Sequence, residues 1–163
     1  MRTLYLLRHA KSSWKDASLS DFERPLKRRG REAAQLVGER LAKEKLKNPV
    51  LICSPAMRAR ETAELVLKSS KLRVEERWDE RIYEASLRDL LQVVSEIPDD
   101  KKVAILIGHN PGFEELLAFL TGESRRMPTA ALAKIMFDVS WKDIEARSGK
   151  LDWFVTPKEL AEK

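Results

Sequence analysis

The stretch LYLLRHAKSSW, Leu4 to Trp14, ends an apolar run in the charged pair Arg8-His9. The chain has two histidines, His9 and His109. Each follows a run that reads as a buried strand, Thr3–Leu7 before His9 and Val103–Ile107 before His109. Open α/β sheets bind ligands in the crevice at the carboxyl ends of their strands, so both histidines stand where a site would be. The segment CSPAMR places Ser54 as an N-cap and Pro55 as first helical residue, and GHNPGF repeats this with Asn110 and Pro111. A helix start offers unpaired N–H groups and the positive end of a dipole. Arg58 falls in the first turn of the earlier helix. Each feature alone has an ordinary structural explanation, since single histidines and capped helices are common. Together, Arg8, His9, Arg58 and His109 at one sheet edge form an electropositive pocket suited to an oxyanion or a phosphate.

Other chemistries fit the residues less well. A cysteine phosphatase needs C-x5-R, but that position from Cys53 is Ala59, and Arg58 falls one residue short. Cys53 therefore reads as an inert strand residue. The motifs G-x-S-x-G, G-x-G-x-x-G and G-x-x-x-x-G-K-[ST] do not occur. Two separated histidines without H-E-x-x-H or a His/Cys cluster make a poor metal site. The expected cofactor complement is none. A metal-free reaction at phosphorus needs a side-chain nucleophile, and histidine is the candidate.

The elements that must position these residues alternate. Ala33, Leu36, Val37 and Leu41 fall at helical spacing, Val50–Cys53 is a short strand, and Ala59, Ala63, Val66 and Leu67 make a second helical stripe. A weaker strand is expected at Leu72–Glu75. Leu87, Leu90, Leu91 and Val94 form a third stripe, with Ser86 and Asp89 spaced as a capping box. Phe113, Leu116, Leu117 and Leu120 form a fourth. Ala131–Val139 and Leu151–Val155 read as late strands forming an antiparallel edge, and Thr156-Pro157 with Glu159 starts a short last helix. The expected fold is a three-layer α/β/α sandwich with a mostly parallel central sheet. The stretch Ala10–Leu26 has no assigned element and adjoins the opening motif, which suits a functional loop.

The totals agree with one domain spanning residues 1–163. No apolar run approaches the ~18 residues of a membrane span. Leu4–Leu7 is too short for a signal-peptide core. The single cysteine cannot form an internal disulfide, so a cytoplasmic location is expected. The net charge of +5 comes from residues 1–50, which carry 13 Lys/Arg against 6 Asp/Glu; the remainder carries 18 against 20. Lys27, Arg28, Arg29 and Arg31 hold much of the excess. This cluster reads as a solvated face or as attraction for an anionic substrate. It has no interleaved aromatics, which argues against a nucleic-acid partner.

The opening stretch resembles the signature strand of the histidine phosphatase superfamily, the phosphoglycerate mutase-like fold, with Arg8-His9-Ala10 where the usual motif is R-H-G. SPAMRARETA is similar to its second arginine block, and LIGHNPGFEELLAFLTG to its second histidine block in the form typical of short SixA-type phosphohistidine phosphatases. RPLKRRG and MPTAALAKI also resemble that branch. The resemblance implies His9 as nucleophile and Arg8, Arg58 and His109 as ligands of the phosphoryl oxygens. Ser12, Trp14 and Lys15 fall where mutase-type relatives read S-x-W-N, which implies that Lys15 binds phosphate. Glu80, in DERIYEAS, aligns with the catalytic acid of mutase-like relatives, and Glu84 is the alternative. A SixA-type reaction can dispense with this acid, because imidazole leaves more easily than an alkoxide.

Adjacent strand residues point to opposite faces, so Arg8 and His9 share a site only where the strand stops being regular. Ala10 in place of glycine is expected to tighten that turn. The implied substrate is a phosphorylated protein, such as a histidine phosphotransfer protein, or a small phosphoester. A non-catalytic phosphoprotein-binding module is the alternative of another class.

Overall fold

The opening apolar run forms β1 (Arg2–Arg8), an inner strand of a six-stranded sheet. The computed structural model describes residues 1–162. After β1 the elements run α1 (Arg28–Ala42), β2 (Val50–Cys53), α2 (Met57–Ser70), β3 (Glu75–Trp78), α3 (Leu87–Ser95), β4 (Val103–Gly108), α4 (Gly112–Thr121), β5 (Leu132–Phe137), β6 (Gly149–Val155) and α5 (Pro157–Ala161). The strand order is β3-β2-β4-β1-β5-β6. The pairs β3·β2, β2·β4 and β4·β1 are parallel, whereas β1·β5 and β5·β6 are antiparallel.

Alternation along the strands divides the core into two layers. Leu4, Leu6, Ile52, Ala104 and Leu106 pack with α3 and α4 residues such as Leu90, Val94, Phe113 and Leu117. Tyr5, Leu7, Leu51, Cys53, Ile105 and Ile107 pack on the other face with Ala34, Val37, Leu41, Ala59, Ala63 and Val66 of α1 and α2. The result is the expected α/β/α sandwich with an antiparallel edge. The capping boxes at Ser86/Asp89 and Thr156/Glu159 both form.

Several boundaries differ from the sequence reading, the late strands among them, at Leu132–Phe137 and Gly149–Val155 rather than Ala131–Val139 and Leu151–Val155. The weak strand is Glu75–Trp78 rather than Leu72–Glu75, because it is an exposed edge strand with no buried residue to mark it. The N-cap of α2 is Ala56, not Ser54, and that of α4 is Pro111, not Asn110. The side chains expected to cap are used elsewhere. Ser54 Oγ lies 2.7 Å from His109 Nε2, and the Asn110 amide donates to Glu114 and to the Met127 carbonyl.

The Ala10–Leu26 loop is tied down at both ends. Lys27 N–H donates to the Lys11 carbonyl at 3.0 Å, Ser13 N–H donates to the Pro25 carbonyl at 2.8 Å, and Ser12 bridges Leu26. A 3-10 turn at Asp21–Glu23 occupies its middle.

Candidate active site

β1 ends at Arg8, and His9 is the first residue beyond it. The His9 N–H still donates to the Gly108 carbonyl at 2.9 Å, while Ala130 N–H is shared between the Arg8 and His9 carbonyls at 3.0 Å each. Regular pairing ends here, which lets both side chains line one cavity. Ala10 is not among the residues with positive φ, and its methyl group is buried in the α1/α2 layer, so replacing glycine there strains nothing. Its N–H donates to Thr62 Oγ1 of α2 at 2.9 Å.

The cavity measures about 310 Å³ and is lined by Arg8, His9, Arg58, His109, Arg24 and Lys27, together with Lys11, Ser12, Trp14, Asn110 and Thr129. The four residues singled out from the sequence therefore meet at the carboxyl edge of the sheet. The His9 and His109 rings lie 5.1 Å apart, centroid to centroid. Arg58 Nε stands 3.4 Å from His9 Nε2.

His9 Nδ1 lies 2.7 Å from the Ala10 carbonyl, which can only accept, so Nδ1 carries the proton and Nε2 the lone pair. Ser54 Oγ accepts from Ala56 N–H at 3.3 Å and can give its own proton to His109 Nε2. That leaves the proton of His109 on Nδ1, which is buried without a partner among the described residues, as is Arg8 Nε. Arg8 Nη1 donates to the Met127 carbonyl. Burial pushes the pKa of His9 down to about 3, helped by His109, Arg58 and Arg8 and opposed by the Ala10 carbonyl. Burial, with Arg58 and Arg8, lowers His109 to about 4, against the pull of Asp21. Both imidazoles are neutral at pH 7.

Three sequence candidates fall outside. Lys15 is exposed and does not line the cavity, where the cations are Lys11, Arg24 and Lys27 instead. Glu80 and Glu84 are exposed and line no part of it. Ile82 is buried against the α3/α4 layer, and this anchor leaves Glu80 in solvent while Tyr83 turns in, 5.5 Å from the His109 ring. The sequence reading assigned no role to Asp21, Arg24 or Tyr83. Arg24 lies in the RPLKRRG block, which was its only signal.

A family model described as the histidine phosphatase superfamily (branch 1) matches residues 4–103. The chain belongs to that superfamily. An uncharacterised chloroplastic protein of Arabidopsis thaliana is 32% identical over 93% of this chain and 74% of its own length. An uncharacterised protein of Mycobacterium leprae is 29% identical, over 93% of this chain and 100% of its own length. The structure of the protein histidine phosphatase SixA complexed with tungstate superposes with a TM-score of 0.84 at 22% identity, covering 97% of this chain and 99% of that one. A mycobacterial glucosyl-3-phosphoglycerate phosphatase gives 0.68 at 18% identity, covering 94% and 98%. The SixA and phosphoglycerate mutase-like fold is thus shared, and superfamily membership supports a phosphatase. Among the described residues no helix is long and apolar enough to cross a membrane, and no group of three or more His, Cys, Asp or Glu is arranged to hold a metal ion. Cys53 is buried, and burial raises its thiol pKa, which suits a packing role.

Proposed function

We propose that the chain is a phosphatase that uses His9 Nε2 as nucleophile and takes phosphohistidine in a protein as substrate. The observation that carries the substrate class is the absence of aspartate and glutamate among the residues lining the cavity. The carboxylate that touches Arg58, Asp21, is held ionised by hydrogen bonds from Tyr83, Arg24 and Arg58. An alkoxide leaves phosphorus poorly without an acid to protonate it, whereas an imidazole needs no such help. In the first step the Nε2 lone pair forms an N–P bond as the bond from phosphorus to the substrate's nitrogen breaks. The substrate's imidazole, already protonated by solvent on its far ring nitrogen, takes the electron pair and departs as a neutral ring. In the second, water attacks the phosphohistidine, releasing inorganic phosphate and restoring neutral His9. Arg58 Nε, Arg8 Nε and His109 Nδ1–H stabilise charge on the phosphoryl oxygens.

The rim supports a protein substrate. Trp14 is 76% exposed at the cavity mouth, and Phe22 and Met57, each 39% exposed, belong to the loop and to the helix start that carry Asp21 and Arg58. A histidine phosphotransfer protein fits this reading. The test compares kcat/KM for a phosphohistidine protein and an alkyl phosphate, in wild type and in Glu80→Gln and Glu84→Gln. The reading expects phosphohistidine to be preferred, with both variants within about tenfold of wild type, roughly 1.4 kcal/mol in barrier. Faster wild-type turnover of the alkyl phosphate, or a larger loss on phosphohistidine in either variant, contradicts it.

A further inference from the structure

Asp21 sits in the middle of the Ala10–Leu26 loop, and its carboxylate joins Arg24 of that loop to two other segments, those of Arg58 and Tyr83. Its Oδ1 accepts from Arg24 Nη2 at 3.0 Å and Nε at 3.3 Å. Its Oδ2 accepts from Arg58 Nη2 at 3.1 Å and from the Tyr83 hydroxyl at 2.6 Å. A carboxylate offers about four lone-pair sites, and all are engaged. The Asp21 main-chain carbonyl also accepts from Arg58 Nη1, at 2.8 Å. Arg58 is thus gripped at its Nη1/Nη2 end, and its Nε is left directed toward His9. Arg24 is fixed as closely, with Nη1 donating to Ser12 Oγ at 2.6 Å and its guanidinium 3.5 Å over the Trp14 ring.

We infer that Asp21 is a positioning residue: it sets the orientation of Arg58 and Arg24 toward the phosphoryl group and latches the loop to Tyr83 beside His109. The inference rests on reading this pocket as a phosphoryl-transfer site, but not on phosphohistidine being the substrate. Tyr83 completes the latch through edge-to-face contacts with Phe22 on one side, at 5.1 Å, and His109 on the other. Asp21 does not serve as the missing acid. The Tyr83 hydroxyl and the two guanidinia hold its carboxyl well below the usual carboxylate range, so it carries no proton to give. Its negative charge also offsets the mutual repulsion of Arg24 and Arg58.

A group that orients donors without neutralising substrate should affect turnover and anion binding differently. Removing it frees both arginines, which loses alignment but removes a charge that repels phosphate. Asp21→Ala is expected to lower kcat on p-nitrophenyl phosphate by about 10- to 100-fold, the scale of a misplaced catalytic group. The calorimetric Kd for inorganic phosphate should stay the same or become tighter. Asp21→Asn, which keeps a neutral acceptor, should lose less. Tyr83→Phe, which keeps the ring contacts and drops one hydrogen bond, should also lose kcat without weakening phosphate binding. An unchanged or raised kcat in Asp21→Ala would overturn the inference, the latter marking Asp21 as a competing anion. So would phosphate binding that weakens in step with kcat. Neither readout uses phosphohistidine, so a failed substrate assignment is recognisable separately.

Discussion

The lowered pKa values of the two histidines make kinetics and stability respond to acid in different ways. In the free enzyme, kcat/KM follows the protonation state of essential groups. A histidine with an ordinary pKa near 6.5 falls from roughly 76% neutral at pH 7 to about 3% at pH 5, which would cost a nucleophile about 25-fold. His9, with its pKa at about 3, stays almost wholly neutral over that range. After correction for the substrate's own ionisation, kcat/KM should therefore change less than about twofold from pH 7 to pH 5. Stability should not stay level. In the unfolded chain both histidines take up protons as pH falls through 6.5, while the folded chain refuses them until about 4 for His109 and 3 for His9. The unfolded state binds more protons in this window, so stability falls with pH. At pH 5 each histidine costs about 2 kcal/mol relative to pH 7, about 4 kcal/mol for the pair. The Asp21 carboxyl, held below the usual range, stays ionised there. Urea unfolding at several pH values, with His9→Gln to halve the slope, measures this beside the kinetic profile. A kinetic pKa near 6.5 with stability independent of pH would refute the reasoning, because it would mean that the site does not exclude protons.

Arg58→Ala should lower kcat by about 10²–10³, the loss typical of one preorganised oxyanion donor, and a loss below fivefold in steady-state assays would remove Arg58 from that role. Gly30→Ala should destabilise by about 1–3 kcal/mol, as other overpacked sites do. A β-carbon at Gly30 would stand 2.1 Å from the Lys11 carbonyl oxygen and 2.8 Å from its amide nitrogen, both main-chain atoms. An unchanged urea midpoint would mean that the loop yields freely. Chelators should leave activity unaltered; EDTA-sensitive turnover restored by a divalent ion would contradict the metal-free mechanism.

The strands that carry the two histidines were legible because they are buried on both faces and read as continuous apolar runs. The late antiparallel pair was legible from the lack of a helix between its strands. β3 was not, since its four residues are exposed and its position is set by pairing with β2 rather than by burial. At the site, Arg8, His9, Arg58 and His109 could be found because strand ends and helix starts have local sequence signals. Asp21 and Tyr83 have none: their roles depend on hydrogen bonds spanning 37 and 62 residues. The placement of Glu80 outside the cavity was not legible for a related reason. Which residue of DERIYEAS turns inward is decided by the anchoring of Ile82, which alignment to a motif does not reveal.

The covalent intermediate is the most direct test of the account. Enzyme mixed with a ³²P-labelled phosphohistidine protein, quenched in alkaline detergent within one turnover and digested, should carry label on the peptide containing His9. The label should survive base and be lost in acid, as a phosphoramidate is. His9→Ala, folded by circular dichroism, should neither take up label nor release phosphate. Label mapping to another residue, or phosphate release that persists in His9→Ala, would contradict the claim that His9 Nε2 is the nucleophile.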